Sequence, residues 1–112
     1  MKVTFEDYDQ MSVLSLRGEF VGEDNSEIFR TEAQQRLAGP VRDVIVDLEN
    51  VEFVDSRAFE TLIWLQDACA EKLGQVRIAA AQQAVDEALR LTRLAGRFDC
   101  HEDIDGAIRS LR

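Results

Sequence analysis

The feature that most constrains the fold is a run of apolar residues that leads, through a short acidic stretch, into an Asp-Ser pair and a long amphipathic segment. Residues 44–48 are almost all aliphatic or β-branched, which is typical of a parallel strand buried on both faces. Beyond Ser56 the apolar spacing changes to that of one face of an α-helix. The chain is therefore expected to pass from a buried strand, through a short loop, to a helix that starts at Asp55 and Ser56.

The Asp-Ser pair lies where the first backbone N–H groups of a helix have no partner inside the helix. Aspartate and serine both accept hydrogen bonds from such groups, so either Asp55 or Ser56 is expected to act as the N-cap. A purely structural role in capping is one interpretation of the pair.

The rest of the chain alternates between strand and helix patterns. Strands are predicted near residues 3–5 and at 13–16, 44–48, 76–80 and 98–100, and helices at 24–37, 56–73, 82–94 and 104–111. The predicted helix stops include Gly74 and Gly96. This order predicts an α/β fold with a mixed, mostly parallel sheet of four or five strands and about four helices.

Length and composition narrow the class of protein. A chain of 112 residues is expected to build one domain around one core. No apolar run approaches the length that spans a bilayer, and the first residues lack the apolar stretch of a signal peptide, so we expect a cytoplasmic protein. The net charge of −9 opposes binding to nucleic acid and favours a protein partner with a basic or mixed surface.

The few metal-ligating and nucleophilic side chains do not form a recognisable reactive motif. Cys69 and Cys100 are far apart and are interpreted as free thiols, and the spacing around His101 matches no zinc site. A serine hydrolase is poorly supported because the chain lacks a G-x-S-x-G elbow. We expect no cofactor and no metal.

Several segments together resemble one family. Residues 44–65 resemble the signature of the STAS domain, the family of sulphate-transporter and anti-sigma-factor-antagonist domains, in which a buried strand ends in Asp-Ser before a helix. The stretch 17–20, with the sequence Arg-Gly-Glu-Phe, resembles the end of the family's second strand, and residues 86–98 and 103–108 resemble its closing segments. The resemblance covers the whole chain, so residues 1–112 are expected to form a single STAS domain.

The resemblance implies a regulatory function without catalysis. Anti-sigma factor antagonists of this family bind a serine kinase that is itself the anti-sigma factor, and this kinase phosphorylates the serine that follows the motif aspartate. Ser56 occupies that position. The implied partners are such a kinase and a PP2C-type phosphatase, with no nucleic acid and no insertion into a membrane; we also allow for a weak homodimer.

The partner surface is expected on the Val51–Arg57 loop and the outer face of the following helix. The residues predicted to contact the partner are Asp55, Ser56, Arg57, Glu60, Thr61 and Trp64. Trp64 is either an exposed interface anchor or a partly buried side chain that leans on a neighbouring helix. Where the family has a small residue and a glycine, this chain has Arg57 and Ala58, and Arg57 is expected to pair with Asp55 or with a phosphate on Ser56.

Two other functional interpretations remain open from the sequence. The domain could serve as a constitutive scaffold subunit of a membrane lipid-transport ATPase complex, in which Asp55 and Ser56 are structural. An enzyme that uses Ser56 or binds a nucleotide is the third interpretation. The scaffold differs from the regulatory module in whether a kinase recognises Ser56. The enzyme requires turnover by the isolated chain.

Overall fold

A five-stranded mixed sheet forms the centre of the structure, a computed structural model that describes residues 1–92 and 97–111. The strands are β1 (Lys2–Tyr8), β2 (Met11–Phe20), β3 (Asp43–Val54), β4 (Val76–Ala79) and β5 (Asp99–His101). They lie side by side in chain order. β1 is antiparallel to β2, whereas β2, β3, β4 and β5 run parallel to their neighbours.

Four helices occur in the part of the chain that the structure describes. They are α1 (Gly22–Leu37), α2 (Ser56–Glu71), α3 (Gln83–Leu91) and α4 (Ile104–Ser110). The predicted α/β fold, with a mixed and mostly parallel sheet and about four helices, is confirmed. The predicted end of the third helix at Leu94 and its stop at Gly96 lie outside the described residues.

Both faces of the central strand β3 are buried, as its apolar run predicts. Successive strand side chains point to opposite faces, so Val44 and Val46 enter the larger core while Ile45 enters a smaller one. The larger core also contains side chains from α1, α2 and α3, including Phe29, Leu62 and Leu89. The smaller core is closed by α4 through Ala107. Three helices therefore contribute to one core, and the short α4 to the other.

Strand β3 is longer than its apolar run. Residues 49–54, which the sequence indicates as an acidic loop, continue the strand and pair with the end of β2. Phe53 lies opposite Glu19, and Val54 lies opposite Phe20. The prediction of a loop is wrong because backbone pairing with β2 holds this segment extended, whatever the polarity of its side chains. The motif junction consequently begins at the last residue of a sheet strand.

The buried face of α2 agrees only in part with the helical spacing of its sequence. That spacing predicts a stripe through Phe59, Leu62, Ile63, Gln66, Cys69 or Ala70, and Leu73, whereas the buried residues are Ala58, Phe59, Thr61, Leu62, Leu65 and Cys69. Leu73, beyond the helix end, is 88% exposed. Two overlapping apolar stripes occur in this segment, and contact with the sheet and α1 selects the one that includes Thr61.

The end of α2 uses a leucine where the sequence predicts a glycine to turn the chain. Leu73 has the left-handed φ of 63°, while Gly74 does not. The N–H of Gly74 donates to the carbonyl of Cys69 at 2.8 Å. A Cβ at Gly74 would lie 1.8 Å from the carbonyl oxygen of Arg42. Glycine is therefore required here by the close approach of two backbone segments.

We expect Gly74→Ala to lower the free energy of unfolding by about 1–3 kcal/mol, because the added methyl forces the Arg42 backbone away from its position before β3. Gly39→Ala is the matched control, since the nearest atom to its new Cβ is 3.8 Å away. Urea unfolding of both variants measures the difference. Equal stability of Gly74→Ala and the wild type would contradict this account of the turn.

Candidate functional site

The carboxylate of Asp55 joins the starts of two helices. Its Oδ1 accepts a hydrogen bond from the N–H of Ala58 at 3.0 Å, which is the N-cap interaction of α2. Its Oδ2 accepts from the N–H of Gly22, the first residue of α1, at 2.8 Å. Of the two predicted caps, Asp55 is therefore the one that the fold uses.

Helix α1 depends on this contact because it has no side-chain cap of its own. The helix begins at Gly22, earlier than its polar residues suggest, and its N-cap residue Val21 has no polar side chain. Gly22 has a φ of 81°, which favours glycine at this turn. Asn25 completes the turn by donating from its amide to the carbonyls of Val21 at 2.8 Å and Glu19 at 3.0 Å.

The environment keeps Asp55 ionised at neutral pH. Burial acts to raise the pKa of Asp55, but the N–H groups of Gly22, Ala58 and Arg57, together with the charge of Arg57, lower it more. The net pKa therefore lies below the ordinary value of an aspartate. Acceptance of several backbone N–H groups is the physical basis of this shift.

Ser56 is exposed at the first position of α2. Within residues 1–92 and 97–111, its hydroxyl makes no side-chain hydrogen bond, and the cap of the helix is Asp55. The fold therefore leaves the Ser56 hydroxyl available to another molecule. A capping role, which the sequence left open for Ser56, belongs to its neighbour.

Arg57 pairs across the helix junction with Glu23 of α1, rather than with Asp55. Glu23 also accepts from Arg30 at 2.6 Å, and Arg30 reaches Glu27 at 3.1 Å. The hydrogen bond from Arg30, followed by that from Arg57, holds the pKa of Glu23 below its ordinary value. This network is a second polar link between α1 and α2, on the surface beside Ser56.

The predicted contact residues do not all lie on the outer face of α2. Glu60 is exposed, as expected. Thr61 is only 1% exposed and donates to the carbonyl of Arg57 at 2.8 Å, so its assignment to the partner surface is wrong. Successive residues of an α-helix are rotated by about 100°, which places Thr61 on the same side of α2 as the buried residues Ala58 and Leu65. Trp64 is half-buried against the larger core, and its role in binding stays a prediction.

The departure from the family at Ala58 has a simple structural consequence. Ala58 is fully buried in the larger core, so its methyl group points away from the surface that carries Ser56. The replacement of the family's glycine therefore adds apolar contact inside the protein. It adds no bulk to the surface that a partner would meet.

Phe53, three residues before Ser56, is a large exposed aromatic side chain within the 51–57 segment that the sequence assigns to the partner surface, although the sequence did not single it out. It is 56% exposed at the end of β3. The available signal was an aromatic residue in an otherwise acidic stretch, which does not distinguish a core residue from a surface one. Its position opposite Glu19 places it at the same edge of the sheet as the start of α1.

Other reactive groups are separate from this junction. Cys69 and Cys100 are free thiols, as predicted, and burial followed by the charge of Asp43 raises the pKa of Cys69 to about 12. In the described ranges, no three His, Cys, Asp or Glu side chains are grouped so that they could hold a metal ion. None of the helices described combines the length and apolar character needed to cross a membrane.

The family model of the STAS domain matches residues 2–107. The chain belongs to the STAS domain family. The match extends over almost the whole chain and includes both strand ends and both helix starts at the Asp55 junction. A search of curated proteins found no match to the sequence.

Solved structures share the fold of this STAS domain at low sequence identity. A candidate anti-sigma factor antagonist of Thermotoga maritima is 18% identical, with 98% of this chain and 94% of that one covered and a TM-score of 0.89. An anti-sigma factor antagonist of Mycobacterium paratuberculosis is 26% identical, with coverages of 99% and 93% and a TM-score of 0.81. The phosphorylated form of Bacillus SpoIIAA is 17% identical, with coverages of 96% and 97% and a TM-score of 0.76.

We expect Asp55→Ala to lower the free energy of unfolding at neutral pH by about 2–3 kcal/mol, because it removes the cap of α2 and the acceptor for Gly22. The folded pKa of Asp55 lies below its unfolded value of about 3.9. Its stabilising contribution is therefore complete above that value and is lost as the pH falls through the folded pKa. Denaturant unfolding across acid and neutral pH should show the stability difference between the two proteins narrowing in acid.

Ser56→Ala is the matched control for this experiment. Because Asp55 caps the helix, we expect Ser56→Ala to change the free energy of unfolding by less than about 0.5 kcal/mol at each pH. A loss comparable with that of Asp55→Ala would show that the serine hydroxyl supports the fold.

Proposed function

We propose that this STAS domain is a non-enzymatic binding module of the anti-sigma factor antagonist type, controlled by phosphorylation of Ser56. The observation that carries the proposal is the division of roles at the junction. Asp55 caps α2, and Ser56 presents its hydroxyl to solvent at the start of the same helix. The family membership and the antagonist folds among its structural neighbours support this choice.

The proposed modification is a phosphoryl transfer from ATP, catalysed by the partner kinase. The Oγ of Ser56 attacks the γ-phosphorus of ATP, and the bond from that phosphorus to the β,γ-bridging oxygen breaks as the new P–O bond forms. ADP leaves, and the hydroxyl proton passes to a base of the kinase. A PP2C-type phosphatase reverses the modification by transferring the phosphoryl group to water, with release of inorganic phosphate.

The position of Ser56 favours a modification that acts on binding more than on folding. A phosphate adds about −1.5 to −2 charges and lies near the positive end of the α2 dipole, which tolerates negative charge. The side chain is exposed, so the phosphate displaces no core contact. A partner that closes over Ser56 would have to accommodate this charged group, which the unmodified hydroxyl does not require.

The proposed complex occupies the surface around the junction. Arg57 and Glu60 are exposed beside Ser56, and Trp64 keeps part of its surface accessible on the same helix. The proposed partners are a serine-kinase anti-sigma factor and a PP2C-type phosphatase. Residues 1–112 would act as one domain, and the complex would form in the cytoplasm.

We expect each molecule to accept one phosphate, on Ser56, when it is incubated with ATP and the purified kinase-type anti-sigma factors of its source genome, tested one at a time. Intact mass and fragmentation spectra identify the site, and Ser56→Ala should remain unmodified. We also expect Ser56→Asp to weaken binding by about tenfold or more in titration calorimetry while thermal unfolding changes little.

Two results would contradict the switch. Ser56→Asp could melt far below the wild type while its folded fraction binds normally, which would make the effect one of folding. The second result is that no kinase binds or modifies the chain, whereas the chain co-purifies stoichiometrically with a transport ATPase complex. That result would support a constitutive scaffold.

We expect the purified domain to hydrolyse neither ATP nor p-nitrophenyl acetate above the buffer rate. In the described residues, Ser56 has no hydrogen bond to a base, and the chain's single histidine, His101, follows β4 and α3 on the far strand of the sheet. Spectrophotometric assays of the wild type and Ser56→Ala test this. Turnover that disappears in Ser56→Ala would refute the proposed binding module.

A further inference from the structure

Strand β1 forms one edge of the sheet, and among the described residues no strand pairs with its outer side. Every residue of Lys2–Tyr8 except Val3 is exposed. Phe5 is still 46% exposed, although it lies on the face that α1 covers. A strand of this kind presents a row of unpaired N–H and C=O groups, with which another strand can pair. The outer side of β1 is therefore open to another chain.

The hairpin between β1 and β2 fixes which backbone groups of β1 point outwards. A two-residue turn joins Tyr8 to its partner Met11, and Asp9 supplies the positive φ that tight hairpin turns use. The pair that closes such a turn is hydrogen-bonded, and hydrogen-bonded and non-hydrogen-bonded pairs alternate along the ladder. Every second residue of β1 therefore directs its N–H and C=O outwards. These residues are Val3, Phe5 and Asp7.

The side chains of β1 place opposite charges on one face and apolar groups on the other. Val3 packs against the larger core, and Phe5 lies under the guanidinium of Arg36 on the same face. Since strand side chains alternate, Lys2 and Glu6 both point to the opposite face. That face thus carries a cation near the start of the strand and an anion near its end.

We infer that β1 pairs antiparallel with β1 of a second copy of this chain, in the register that places Lys2 opposite Glu6 of the second copy. A two-fold axis then passes between the two Thr4 residues, so the ion pair forms twice. On the other face Val3 lies opposite Phe5, also twice, and the outward N–H and C=O groups of these two residues hydrogen-bond between the copies. The inference goes beyond the proposed function, which requires no second copy.

Charge complementarity argues for a second copy and for this register. Charged side chains on an edge strand normally hinder pairing with another strand. Here they favour one arrangement, because opposite charges directly across an antiparallel pair stabilise it and like charges destabilise it. A pairing that uses the outward backbone groups changes register in steps that place Lys2 opposite Tyr8 or Thr4, which are uncharged. Parallel pairing in register places each charge opposite its own copy.

This pairing closes on itself. Each copy has one β1 edge, and the other edge of its sheet is the short strand β5. Two copies therefore form one continuous sheet, and pairing through β1 adds no third copy. The net charge of −9 on each copy opposes association, so we expect a dimer that forms only at high protein concentration.

Charge exchange within β1 tests the ion pairs, with sedimentation equilibrium as the measurement. Lys2→Glu and Glu6→Lys should each raise the Kd of the dimer by about tenfold or more, because each converts both ion pairs into like-charge contacts. Glu6→Lys also makes the net charge less negative, so general repulsion alone predicts stronger association for this variant. The double variant Lys2→Glu/Glu6→Lys keeps the net charge of −9 and should recover the Kd of the wild type. An equimolar mixture of the two single variants should form a mixed dimer.

Disulfide trapping tests the register. Thr4→Cys, in a Cys100→Ser background that removes the exposed thiol, should form a covalent dimer with oxidised glutathione. Directly opposite residues of a non-hydrogen-bonded pair have Cα atoms about 4.5 Å apart, within the range that a disulfide spans. Phe5→Cys in the same background is the control, because residue 5 lies opposite itself only in the neighbouring register.

Thermal unfolding establishes that each variant is folded. Weaker association of both single variants, recovery in the double variant and in the mixture, and trapping through Thr4→Cys but not Phe5→Cys support the inference. It is overturned by a wild type that stays monomeric up to about 1 mM, by tighter association of Glu6→Lys, by absence of recovery in the double variant, or by preferential trapping through Phe5→Cys. These results leave the proposed function standing, because phosphorylation of Ser56 is measured separately and needs only one copy.

Discussion

The bidentate use of the Asp55 carboxylate is the contact on which the geometry of the site depends. One oxygen caps α2 and the other holds the first N–H of α1, a helix whose own N-cap residue is Val21. The two helices therefore start side by side above the paired ends of β2 and β3. Since this carboxylate satisfies the helix start, the hydroxyl of Ser56 is left for chemistry with another molecule.

The ion pair between Glu23 and Arg57 reinforces the same junction with a smaller contribution. Exposed ion pairs typically contribute less than about 1 kcal/mol, whereas hydrogen bonds to a charged group contribute about 1.5–3 kcal/mol. Most of the stability comes from the core between the sheet and α1, α2 and α3. The polar contacts thus set the relative position of two helix starts that packing already brings together.

Local sequence patterns were sufficient to predict the order of the elements, the burial of residues 44–48 on both faces of a parallel sheet, and the Asp-Ser start of the following helix. These features follow from periodicity and from residue preferences at helix ends, which act within one or two turns of the chain. The family signature lies in these same local patterns, which is why the amino-acid sequence alone is enough to indicate a STAS domain.

Contacts between distant segments settle which of the two motif residues caps the helix, how far β3 extends, and which stripe of α2 is buried. Each depends on groups about thirty residues apart: Asp55 with Gly22, Arg57 with Glu23, and Phe53 with Glu19. Thr61 is buried, against the helical spacing of its own segment, because neighbouring elements cover it. Local periodicity carries no information about such neighbours, so the assignment of the cap to Asp55 and the burial of Thr61 follow only from the tertiary structure.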